Sequence, residues 1–155
     1  MIVVFTIDHA LALIRVIAGL LLLGHGAQKL FSAFGGPGVR GFAGWLKSMS
    51  IPAPTAFAWL VGLCEFIGGL LFAVGLFTPI AALAISGVML GAIWLVHWSK
   101  GLWVSSGGFE YPLILLTIPA STATIYLIGL VLEVVALIAI QFARSRGTVS
   151  QPSTA

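Results

Sequence analysis

Residues 62–83, GLCEFIGGLLFAVGLFTPIAAL, decide how this chain is to be read. From Gly62 to Phe77 the run is apolar except for Glu65, and Thr78 and Pro79 then close it. Proline has no amide hydrogen to donate inside a helix, whereas a helix tolerates it in the first turn. Apolar residues resume directly after Pro79. One helix ending where the next begins makes a tight antiparallel hairpin. Each arm is long enough for a bilayer, since about 20 apolar residues cover about 30 Å of hydrocarbon.

The rest of the chain has the same character. Of 155 residues, 60% are hydrophobic and 7% charged, with a mean hydropathy of +1.17. A soluble domain has a very different balance. Seven basic and four acidic residues give a net charge of +3, too sparse and scattered for a nucleic-acid surface. Lipid head groups are the expected partner of that excess. Cys64 is the only cysteine, which rules out an intrachain disulfide, a CxxC pair or a thiolate metal cluster; it reads as a small core residue.

The hairpin supplies spans at about 55–77 and 79–98. Upstream, a span at about 10–31 begins in ALALIRVIAGLLLL. It reads as retained: no basic segment precedes it, Arg15 interrupts it, and LGHGAQ is no small-x-small cleavage site. The glycines of FGGPGVRG, residues 34–41, then predict a flexible polar-aromatic loop through Pro52 and Pro54, since glycine is a poor helix former. The glycine spacing is not that of a phosphate loop, and no strand precedes it. A second loop, SKGLWVSSGGFE, leads to an apolar stretch at 111–142. As one helix it would measure about 48 Å, too long for an upright span, so a break is expected near Pro119. The expected architecture is a single transmembrane domain over 1–143. It is an all-α, up-down bundle of four transmembrane helices, with five spans as the alternative, followed by a disordered polar tail at 144–155.

In that topology Trp45, Trp59, Trp94, Trp98 and Trp103 share one membrane face, as an interfacial belt would. Lys29, Arg40, Lys47 and Lys100 gather there, against Arg15, Arg144 and Arg146 toward the other face. Charged groups within a span cost about 2.5–3.5 kcal/mol on insertion scales and so require a partner or a purpose. Gly62, Glu65 and Gly69 fall on one helix face, which predicts close contact with a neighbouring helix. Arg15 in the first span is the expected partner of Glu65. His25 and Lys29, four residues apart, share a face at the end of that span. His97 ends the third span and Glu110 opens the fourth. Histidines and buried carboxylates titrate near neutral pH after modest shifts. Glu65, His25 and His97 are therefore candidates for a proton relay, with Arg15, Lys29 and Glu110 as candidate ligand-binding groups. The spacing is not ligand-like for a metal, and no metal site is expected.

Arg15 in the first span, GHGAQKLF at its end, GLCEFIGGLLFAVGLFTPIAAL across the hairpin, His97, and GGFEYPLIL opening the fourth span together resemble the DoxX family of small four-helix membrane proteins. The resemblance covers roughly residues 10–118. It implies a multi-pass protein of the bacterial inner (plasma) membrane, linked to redox chemistry. Related DoxD proteins are a membrane subunit of thiosulfate:quinone oxidoreductase, and some DoxX-like proteins are associated with quinone or thiol stress and with soluble oxidoreductases. Family members commonly finish the fourth span with a Gly-Pro-Gly turn and a short acidic tail. This chain instead continues through STATIYLIGLVLEVVALIAIQFARSR, which carries Glu133.

Three functions follow as expectations. The first is a redox-linked protein holding a quinone or small oxidant in a polar pocket at one end of the bundle. No flavin, haem or iron–sulfur motif is recognisable, so its electrons would come from substrate or from a partner. The second is a noncatalytic anchor recruiting soluble oxidoreductases, with homo-oligomerisation as a further expectation. The third is a small transporter or proton pathway.

Overall fold

The computed structural model describes residues 7–121 together with 124, 128, 134 and 135. Two compact units divide the chain, Met1–Ala123 and Thr124–Ala155. The four described residues of the second unit are helical. Glu133, the tail at 144–155 and most of the expected fourth span beyond 121 lie outside the described residues.

The first unit contains α1 (Ile7–Phe31), α2 (Gly38–Ser48), α3 (Pro54–Val74) and α4 (Thr78–Ala92). A π-helical turn, Ile93–His97, and a 3-10 turn, Trp98–Lys100, continue α4 without a gap. A last helix, α5, occupies residues 110–121 and runs through Pro119. There is no strand among the described residues. Among the described residues three stretches are long and apolar enough to cross a membrane: His9–Phe31, Pro54–Val74 and Thr78–Lys100. The protein is thus an all-helical membrane protein built on an up-down arrangement.

The hairpin forms as its residues dictate. Pro54 sits in the first turn of α3, where its missing N–H costs nothing. At the other end Gly75 takes φ 78. Its N–H donates to the Phe72 carbonyl at 3.3 Å, and the Leu76 N–H to the Leu71 carbonyl at 2.9 Å. This is a Schellman motif, which needs a left-handed residue and so favours glycine. Thr78 and Pro79 start α4 two residues after the motif closes.

In a bilayer, helices associate by close packing more than by escape from water, and small residues let backbones approach. α1 and α3 pack in this way. A Cβ at Gly19 would stand 2.6 Å from the Gly69 carbonyl oxygen, and one at Gly69 2.6 Å from the Leu23 nitrogen. At Gly26 it would collide with the Phe66 backbone, and at Gly62 with the Leu30 side chain at 2.7 Å. The facing pairs Gly19–Ala73, Gly26–Phe66 and Leu30–Gly62 step in opposite directions along the two chains, so the helices are antiparallel and their register is fixed. Below this seam Ala18, Leu22, Phe72, Ala81, Ala82, Ile85, Met89 and Leu115 form the core.

The segment expected to be a flexible loop is ordered: its centre is α2. Val39, Phe42, Ala43 and Leu46 recur at three- and four-residue spacing, the period of an amphipathic helix. They pack with Ile51 around Ala58 of α3. That apolar stripe outweighs the propensity penalty of Gly41 and Gly44. The tryptophans are distributed as the topology predicts. They occupy α2, the start of α3, the end of α4 and the following loop, and all five are more than 40% exposed.

Candidate functional site

The α1–α3 register sets which charges meet. Lys29 lies level with Gly62, one helical turn from Glu65, and its ammonium forms an ion pair with the Glu65 carboxylate. The Glu65 side chain is 5% exposed and that of Lys29 20%. Lys29 Nζ also lies 5.4 Å from the ring centroid of Phe42 on α2, where the ring's negative face favours a cation. One turn back on α1, His25 Nε2 is 3.3 Å from the Tyr111 hydroxyl at the start of α5. Both His25 and Tyr111 are within electrostatic reach of Glu65. Glu65 therefore has an ammonium as direct partner, with an imidazole and a phenol nearby.

The expected Arg15–Glu65 pair does not form. Arg15 stands against Gly75, its guanidinium 2.8 Å from where a Cβ would be. Gly75 lies about ten residues beyond Glu65 on α3, or about 15 Å at the helical rise, beyond the reach of the side chain. Arg15 has instead reached the C-terminal end of α3, where exposed carbonyls favour a cation, and its Nε is buried without a hydrogen-bond partner.

His97 and Glu110 serve the loop between α4 and α5. His97 Nδ1–H donates to the Gly107 carbonyl at 2.6 Å, which turns Nε2 away from that bond. A Glu110 carboxylate oxygen accepts the Val104 N–H at 2.9 Å. Loop backbone bonds from Phe109 to Gly101 (3.0 Å) and from Glu110 to Leu102 (2.8 Å) complete the clamp. Of the six residues singled out in the sequence, the structure groups His25, Lys29 and Glu65; it places His97 at the end of the π turn, Glu110 at the start of α5 and Arg15 at the far end. Tyr111 and Phe42 were missed. Tyr111 had one available signal, its place directly after Glu110 at the opening of a helix.

A cavity of about 450 Å³ lies between α2, α3 and α4. Its walls are apolar, with Phe42, Trp45 and Leu46 from α2, Leu60 and Val61 from α3, and Leu83, Gly87 and Gly91 from α4. Lys29, Cys64, Glu65 and His97 are the polar exceptions. Ligand sites combine these traits: several hundred Å³, mostly apolar walls, and a few polar groups to orient what enters. Lys29 can donate a hydrogen bond there, His97 can bond through Nε2, and Glu65 can exchange a proton. Among the described residues no three His, Cys, Asp or Glu side chains gather as metal ligands would.

No curated protein and no solved structure matches the chain. A family model does match, that of DoxX, over residues 10–98. That range holds α1 through the π turn, and with them the Lys29–Glu65 pair, His25, His97 and the cavity. The chain therefore belongs to the DoxX family of membrane proteins.

Proposed function

We propose that this protein binds a quinone, or an oxidant of similar size, in the cavity between α2, α3 and α4, and that it takes part in redox chemistry at the bacterial plasma membrane. The observation that carries this reading is a buried ion pair, Lys29–Glu65, on the wall of an otherwise apolar cavity of about 450 Å³. An apolar head group with carbonyl oxygens suits such walls. In this reading Lys29 holds one carbonyl, and the Glu65 carboxylate, taking protons from solvent by way of His25, passes two of them on as two electrons arrive, turning quinone into quinol. The electrons come from a thiol or thiosulfate or from a soluble oxidoreductase partner. His97 lines the same cavity; Arg15 and Glu110 hold the scaffold.

The test is binding of a short-chain quinone, and its thiol- or thiosulfate-dependent reduction, by the purified chain in detergent. Wild type binds; Glu65→Gln, which keeps the shape and removes the charge, loses turnover at least tenfold while retaining the fold. Absence of binding by wild type overturns the reading. It would favour a noncatalytic anchor, which the exposure of Trp94, Trp98 and Trp103 at 73%, 61% and 65% supports. Substituting those tryptophans would then abolish capture of a soluble oxidoreductase, and Glu65→Gln would not.

A further inference from the structure

The outer face of α2 has no part in the cavity. Alongside its buried stripe, Arg40, Gly44 and Lys47 are exposed at positions i, i+4 and i+7, which lie along one side of a helix. Gly44 leaves open space between the two cations, since a Cβ there would meet nothing within 4 Å. Trp45, 43% exposed and stacked on Phe42 with ring centroids 5.6 Å apart, lies on the other flank of α2, at the cavity. Residues 32–53 contain no aspartate or glutamate, so α2 itself carries nothing to neutralise Arg40 and Lys47.

Two spans tether this helix, α1 ending at Phe31 and α3 beginning at Pro54. A cationic stripe on so short a tether is held at the membrane surface, where its available counter-charges are lipid phosphates. Trp45, on the other flank of the same helix, is suited to the boundary between head groups and hydrocarbon.

We propose that the Arg40–Gly44–Lys47 face of α2 is a docking surface for anionic phospholipid head groups. Each basic residue near an anionic surface contributes about fivefold in affinity, so the two together give about 25-fold. The interaction weakens in salt, because exposed charges are screened.

The experiment titrates the full chain in neutral detergent with phosphatidylglycerol and phosphatidylcholine of identical acyl chains, and counts bound lipids by native mass spectrometry. Wild type prefers phosphatidylglycerol. In Arg40→Gln/Lys47→Gln the preference falls at least tenfold with an unchanged unfolding temperature, since both side chains are exposed; in Arg144→Gln/Arg146→Gln it persists. Equal binding of the two lipids by wild type overturns the proposal, as does a preference that survives the α2 double variant. Displacement of the lipid by millimolar inorganic phosphate would also overturn it, by showing a free-anion site.

Discussion

Glycine does opposite things on the two sides of α3. Toward α1, Gly19, Gly26 and Gly69 stand where a Cβ would strike backbone. Toward α4, Gly87 and Gly91 face open space, with nothing within 4 Å of a Cβ, and both line the cavity. One seam is closed until the backbones touch, and it holds the ion pair; the other packs through Phe72, Ala81 and Ile85 and opens beside Gly87 and Gly91, where there is room for a ligand. A small residue therefore marks a helix contact only where a partner backbone occupies the space it leaves.

The contrast is most severely tested at Gly26. A leucine there must push α1 away from Phe66, an overpacking that forces backbone movement. Gly26→Leu is expected to lower stability by about 3 kcal/mol or more and to separate Lys29 from Glu65, measured as denaturant unfolding in micelles. Next comes the pair itself. Lys29→Met leaves a buried carboxylate alone, a loss of about 3 kcal/mol, whereas Lys29→Met/Glu65→Leu recovers most of it. A double variant no more stable than the single one would mean that the charges do not interact across the seam. The smallest effect on stability belongs to Gly87→Leu, within about 0.5 kcal/mol, because the cavity has room for the side chain. The same change should weaken quinone binding at least tenfold. Unchanged binding would move the ligand elsewhere and leave the open seam without that role.

Much of this was legible from residue order. The hairpin followed from Thr78 and Pro79, and the contact face of α3 from the spacing of Gly62, Glu65 and Gly69. Register was not legible. Sequence tells which residues share a helix face but not how far one helix slides along another. Here the sliding is set by backbone contacts such as Gly26 with Phe66, which hand Glu65 to Lys29 and leave Arg15 at Gly75. Helix α2 was hidden for a different reason: the glycines of FGGPGVRG signal a loop, while the apolar stripe that overrides them is satisfied only once Ala58 is alongside. Glu110 looked like a member of the pocket because it begins a span, yet only His97 of the two lines the cavity. Polar atoms of both satisfy backbone groups of the loop between α4 and α5, a competing demand that composition does not display.

The ion pair also bears on biosynthesis. Lys29 is in the last turn of α1, close enough to the membrane surface for its ammonium to stay with water and head groups while α1 is alone. Glu65 sits midway along α3, and α3 contains no basic residue of its own. Carried into lipid unaided, an ionised carboxylate would weaken the insertion of an otherwise favourable span. A ribosome delivers α1 first, so the ammonium is already waiting when the carboxylate emerges. The order in which these two helices are translated is the order in which the bilayer can accept them.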